Sequence, residues 1–253
     1  KRFTGANGSD WYDPANWEPA GLPDANCDLT VEGVAVTMTN ATSVSLAKLT
    51  VGAGATLRIV AAPSKVTAAA CLYTNAAIVA VSGMLKVEAG GTLVPECDIA
   101  TGAPVVFKVG SFILEKGGKV DATGKGYGWT QYTGTAPEGA KTVSKGGNFY
   151  TFAPGAALTY GSASSNTYID RYAPFAPGSP QHVQDGATGR GGGVVCIHAA
   201  TVMMLSGEVR ATASDNAGAA AFSSSTGGGV WLSGAAKPLW AMSTTAPKRT
   251  TCS

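Results

Sequence analysis

Charge is what this sequence has least of. Charged residues fill 13% of its 253 positions, about half the usual share, so Gly, Ser, Thr, Ala and Asn must cover much of the surface. The net charge is only +2, and no basic run is longer than the pairs Lys1-Arg2 and Lys248-Arg249. That excludes the electrostatic footprint of a nucleic-acid binder. Two histidines give little material for a His-based metal site. The five cysteines, Cys27, Cys71, Cys97, Cys196 and Cys252, contain no CxxC spacing, which leaves zinc and redox-pair readings without support. No apolar run is long enough to span a bilayer. Nothing at the start resembles a signal peptide, so a chain opening at Lys1 is expected to be a mature or trimmed form. Helical periodicity is missing too: Ala68–Ala70 is too short, and most other apolar runs alternate or are broken by Gly.

What is present is strand after strand. Val34–Met38, Val44–Val51, Thr56–Val60, Ala77–Val81, Met84–Val87, Val105–Val109, Phe112–Leu114, Val194–Ile197, Val202–Leu205, Glu208–Arg210 and Gly229–Leu232 are rich in Val, Ile, Leu and Phe. Gly, Ser, Asn and Pro separate them, as strands require. The chain reads as all-β. Its length is enough for a substantial core without cross-links, so most cysteines read as small buried hydrophobes. One or two disulfides are the alternative for an exported protein, with the odd count leaving one free.

The strands carry a repeat. LTVGAGATL (Leu49–Leu57), LKVEAGGTL (Leu85–Leu93) and FILEKGGKV (Phe112–Val120) share apolar residues at positions one, three and nine, Gly at six, and Gly or Ala at seven. TVMMLSGEV (Thr201–Val209) is a weaker copy. Repeats in this period range indicate a solenoid, propeller or array. Positions one and three place one strand face inward, the Gly at six permits a corner with positive φ, and position nine starts the next strand. One coil cannot bury its inward face alone, so coils must stack. The expected fold is a right-handed parallel β-helix forming a single domain over 1–253. Residues 1–30 form an N-terminal aromatic cap, 31–123 the first coils, 124–193 a long insertion, 194–236 later coils, and 237–253 a cap or tail. The insertion is rich in Gly, Tyr and Pro; loops of such length are functional or disordered, and its aromatics favour an ordered loop on the flank.

DWYDPANWEPAGLPDANCDLTV (Asp10–Val31) resembles the opening of bacterial extracellular β-helix repeat proteins, related to autotransporter passengers and large surface adhesins. The residues that carry the likeness are Trp11, Asn16, Trp17, Gly21, Pro23, Asp28 and Val31, then Leu46, Leu49, Val51, Gly52, Gly54, Ala55 and Leu57. GRGGGVVCIHAATVMMLSGEVRATA (Gly189–Ala213) and GGGVWLSGA (Gly227–Ala235) resemble the Gly-rich coils of the same proteins. The resemblance spans Trp11 to Ala235 and implies a secreted or cell-surface protein for display, adhesion or structural extension, without a shared catalytic motif. Five cysteines depart from the pattern.

Chemistry is sparse. The densest polar set is Asp170, Arg171, His182, Asp185 and Arg190, the candidate catalytic group if the chain is a polysaccharide lyase or glycoside hydrolase on a β-helix scaffold. A hydrolase needs two opposed carboxylates; a lyase needs a cation for the uronate and a base for its proton. The plainer reading is that these residues bind the long loop to itself. The insertion aromatics Tyr127, Trp129, Tyr132 and Tyr150, with Phe149, Phe152 and Tyr160, are candidates for stacking on sugars, or for packing the loop down. His198 reads as a structural strand residue. No metal or cofactor is expected: a calcium site at Asp24 and Asp28 has no supporting spacing, and GRGGG (Gly189–Gly193) lacks the Lys-Ser/Thr of a phosphate loop. The expected partner is a polysaccharide or surface glycan, with self-association through open solenoid ends as a further reading. Neither nucleic acid nor membrane insertion is expected. Trp11 and Trp17 are expected to close the N-terminal end of the core rather than to form a sugar platform.

Overall fold

The structure is a computed structural model. It describes residues 1–64, 75–127, 177–178, 190–214 and 227–234 in full, and 67–69, 72–74, 129–130, 133–134, 142–145 and 148–151 by backbone alone. These residues are all-β, with one three-residue 3₁₀ turn at Pro14–Asn16. In chain order the strands are β1 (Arg2–Phe3), β2 (Trp17–Glu18), β3 (Asp28–Val31), β4 (Ala35–Ala41), β5 (Ser43–Leu46), β6 (Lys48–Val51), β7 (Thr56–Ala61), β8 (Thr67–Ala69), β9 (Leu72–Thr74) and β10 (Ala77–Val87). There follow β11 (Thr92–Glu96), β12 (Val105–Leu114), β13 (Lys119–Asp121), β14 (Trp129–Thr130), β15 (Thr133–Gly134), β16 (Thr142–Lys145), β17 (Asn148–Thr151), β18 (Val195–Leu205), β19 (Glu208–Arg210) and β20 (Val230–Gly234).

Parallel pairing arranges most of them in three stacks. The first holds β5, the leading halves of β10, β12 and β18, and β20. The second holds β1, β3, β6 and the trailing halves of β10, β12 and β18. The third is the five-stranded sheet β4-β7-β11-β13-β19. The first two stacks share one nine-stranded sheet. Three antiparallel pairs stand apart, β8 with β9, β14 with β15 and β16 with β17.

The repeat motif maps onto this arrangement residue by residue. Positions one, three and nine are Leu49, Val51 and Leu57, then Leu85, Val87 and Leu93, then Phe112, Leu114 and Val120, and all are buried in one core cluster. Each such side chain contributes about 1.5–3 kcal/mol by leaving water. In the weaker copy Met203 is buried, but Val209 is only half-buried. The corner glycines have φ of +69° at Gly54, +80° at Gly90 and +87° at Gly117, a conformation that costs other residues strain. These corners stack: Gly54 N–H donates to Gly90 O at 3.1 Å, and Gly90 N–H to Gly117 O at 3.0 Å. Position seven has a different requirement. A Cβ on Gly91 would lie 2.4 Å from Val51 O, so that pass closes up only without a side chain, whereas the first copy accommodates Ala55 within the core.

Three pairs of expected strands are continuous. Ala77–Val81 with Met84–Val87, Val105–Val109 with Phe112–Leu114, and Val194–Ile197 with Val202–Leu205 join as β10, β12 and β18. The interruptions at Ser82-Gly83 in β10, Gly110 in β12 and Ala200-Thr201 in β18 produce a register shift rather than an end. Conversely, the expected strand Val44–Val51 divides at Ala47 into β5 and β6.

The N-terminal segment covers both sheet edges. β1 pairs with β3, and β2 adds to β1 in antiparallel fashion. On the other sheet Thr37 accepts from Trp11 N–H at 3.0 Å and donates to Ser9 O at 2.7 Å. Edge strands left bare invite unwanted pairing. Phe3, Trp11 and Trp17 are buried in the core. Trp17 meets Trp11 edge-on at 4.7 Å and Phe3 at 5.0 Å, and its Nε1–H donates to Trp11 O at 2.9 Å. Asn16 is fully buried; its Oδ1 accepts from Asn7 N–H at 2.7 Å and its Nδ2 donates to Asp10 O at 2.9 Å. The two Trp rings are interior, and only Tyr12 of this cluster is exposed.

Candidate functional site

The long insertion leaves and re-enters through a narrow neck. After β13 the chain passes through Ala122–Tyr127, most of it buried, touches the same place at Gly178 and returns at Arg190. Gly126 N–H donates to Gly191 O at 2.8 Å, Gly191 N–H to Tyr127 O at 3.2 Å, and Gly193 N–H to Ala122 O at 2.8 Å. Gly178, from within the insertion, joins this ladder through Tyr127 N–H and Gly192 O. The backbones are pressed together: a Cβ on Gly192 would lie 2.0 Å from Ala211 O. Gly192 and Gly193 of GRGGG therefore serve close approach.

Beside this ladder lies an ionic cluster. Glu96, the last residue of β11, is buried. Its Oε2 accepts from Arg58 Nε at 2.7 Å and its Oε1 from Arg190 Nη1 at 2.6 Å. Lys125 Nζ lies 3.5 Å from Oε2, and Arg190 Nη2 donates to Gly126 O at 2.7 Å. One carboxylate thus gathers a cation from an earlier pass, one from the outgoing limb and one from the returning limb. Burial by itself would raise the Glu96 pKa, but the hydrogen bonds from Arg58 and Arg190 and the charge of Lys125 hold it at about 2. A group ionised throughout the neutral range cannot serve as a general acid. The arrangement fastens chain segments.

Next to it, Asp98 Oδ1 accepts from Ala100 N–H, Thr101 N–H and Thr101 Oγ1, closing a tight loop. Tyr127 lies against that loop, 3% exposed, with its hydroxyl donating to Thr101 O at 3.2 Å. Cys97 is free and buried, and burial pushes its thiol up to about 12, which keeps it unreactive. Cys27 is also free and Cys196 is buried; Cys71 and Cys252 lie outside the described residues.

Of the five candidate catalytic residues, Arg190 is placed, and both its terminal nitrogens are engaged at the neck. Asp170, Arg171, His182 and Asp185 lie outside the described residues. Of the candidate sugar-stacking residues, Tyr127 has its ring packed inward. Trp129 on β14 and Tyr150 on β17 are described by backbone only, and Tyr132 lies outside. The sequence reading missed Glu96, Arg58 and Lys125. The one local signal was an acid ending an otherwise apolar strand, in TLVPE. Among the described residues, no three His, Cys, Asp or Glu side chains gather as a metal site would require. Comparison with protein-family models, with curated proteins and with solved structures finds no match for this chain.

Proposed function

We propose that the chain is a right-handed parallel β-helix module of a secreted or cell-surface protein, and that it displays its long insertion for adhesion. The observation that carries this reading is the neck. Residues 126 and 191 meet in a backbone ladder, and Glu96 pins both limbs to the stacked strands. A loop held on a rigid scaffold is how folds commonly present binding residues. Three parallel stacks linked by recurrent corners support the β-helix reading, and the covered N-terminal edges support a capped start. The insertion aromatics Trp129, Tyr132 and Tyr150 would provide the contacts, by stacking on uncharged sugar faces.

The test replaces residues 128–176 and 179–189 with short Gly-Ser linkers, leaving Pro177 and Gly178 in the neck. The expected product keeps the circular dichroism and thermal midpoint of the intact protein, and loses binding to neutral glycans on an array. A product that failed to fold, or bound neutral glycans as before, would overturn the display reading. Release of reducing or unsaturated ends from a polysaccharide panel would replace adhesion by an enzymatic role.

A further inference from the structure

The outer face of the first strand stack carries an ordered strip that the neck does not use. Register pairing brings Ser45, Ala80, Lys108, His198 and Ser233 into one row across β5, β10, β12, β18 and β20. Four strand spacings make this row roughly 19 Å long. The neighbouring outward row includes Ile78 and Val106, and an open groove of about 730 Å³ lies over both rows. One side of the groove floor is therefore apolar and the other hydrogen-bonding. His198 is fixed in place: Nδ1 contacts Ser233 Oγ, and Nε2 lies 3.4 Å from Cys196 Sγ. Burial and the nearby Lys108 charge lower its pKa. Lys108 is exposed, and no carboxylate is among the described lining residues.

We infer that this groove binds an extended acidic polysaccharide, lying across the strands with its carboxylate or sulfate groups toward Lys108. The shape calls for a linear ligand. The floor calls for one that is amphipathic, as a sugar ring is, with C–H faces and hydroxyl edges. An added peptide strand is disfavoured, because a strand binds through a sheet edge, whereas here a sheet face is presented whose main-chain groups already serve the ladders. Lys108, the one Lys or Arg among the described lining residues, selects acidic over neutral chains, and as a partly solvated charge it makes binding salt-dependent.

This site is separate from the displayed insertion, and the two are distinguishable. Titration calorimetry would compare oligogalacturonate with a neutral galactan oligomer of equal length, on the intact protein, on Lys108→Glu, and on the linker-replaced protein. The expected result is binding of the acidic oligomer only, weakened tenfold or more by Lys108→Glu and by raised salt, and retained without the insertion. Ser45→Trp, which fills the groove at an exposed position without changing charge, should weaken it as well. Equal binding of neutral and acidic oligomers, or indifference to both substitutions in a folded protein, would overturn the inference. Loss of acidic-oligomer binding on insertion replacement alone would assign it to the insertion, overturning the groove but not the display reading.

Discussion

The stacked passes before residue 123 and the neck of the insertion both hold together segments distant in sequence, yet by opposite means. In the passes, side chains do the work: Leu49, Leu85 and Phe112 stack from strand to strand in a dry core, and the corners repeat. At the neck, side chains are removed so that glycine backbones can touch, and one buried carboxylate ties three cations. Aliphatic packing is distributed and tolerant of small losses. The neck is concentrated on Glu96. The first device stabilises the whole molecule, the second a particular connection.

Breaking the core should therefore have the largest and least local effect. Phe107 on β12 is fully buried, and Phe107→Ala removes a ring from the centre of the first stack. We expect a loss of about 3–5 kcal/mol, read as a fall in the denaturant midpoint. Fluorescence and circular dichroism should move together, because the stacks share one core. A loss confined to one probe would mean that the passes unfold independently.

Glu96→Gln should act at the neck instead. The side chain keeps its shape and loses the charge that Arg58, Lys125 and Arg190 share. Arg58 and Lys125 retain contact with water, so we expect about 2 kcal/mol, below the cost of breaking a wholly buried pair. The readout is protease nicking within 128–189, accelerated while the circular dichroism of the stacks is preserved. The pH dependence has a definite sign. The folded pKa of about 2 lies below the ordinary 4.5, so the stabilisation is complete above about pH 4.5 and is lost as pH falls from there towards 2. In Glu96→Gln this part of the acid sensitivity should vanish. Nicking unchanged from the parent at neutral pH would show that the glycine ladder alone closes the neck.

The same contrast explains what the sequence disclosed. Inward positions of a strand recur at every second residue, and a corner with positive φ calls for Gly, so Leu85–Leu93 announced both its strand and its turn without reference to any partner. A shorter copy escaped notice: Leu29 and Val31 pair with Leu49 and Val51, but the corner at Gly33, φ +66°, spans fewer residues than the later ones. Glu96 was illegible for a different reason. Its partners stand 38 residues before it and 94 after it, and no local pattern marks an Arg that will meet a given Glu. Arg190 was singled out for chemistry because it belongs to the densest polar set of the sequence; the fold gives it a fastening role. The row of Lys108, His198 and Ser233 was illegible too, since only the register of β12, β18 and β20 makes them neighbours.

Tyr127→Phe probes the neck more gently. It removes one hydrogen bond to Thr101 O and leaves the buried ring in place. The carbonyl loses its donor, so we expect about 1 kcal/mol, with a small rise in nicking of the insertion and no change in glycan binding. A marked loss of neutral-glycan binding would restore Tyr127 to the sugar-contacting group, against its 3% exposure.

The smallest effect is expected where the same kind of contact occurs without burial. Lys48 Nζ lies 2.8 Å from Asp28 Oδ2, nearly the distance that separates Arg58 from Glu96, but both side chains are more than half exposed. Water already solvates each charge, so joining them gains little, and Asp28→Asn should cost under about 0.5 kcal/mol. Thermal midpoints of Asp28→Asn and Glu96→Gln, measured at low and at high salt, would separate distance from environment. A surface pair fades in salt, whereas a buried one is screened much less. If both variants lost equal stability, burial would not be what gives Glu96 its hold, and the neck would be an ordinary surface contact.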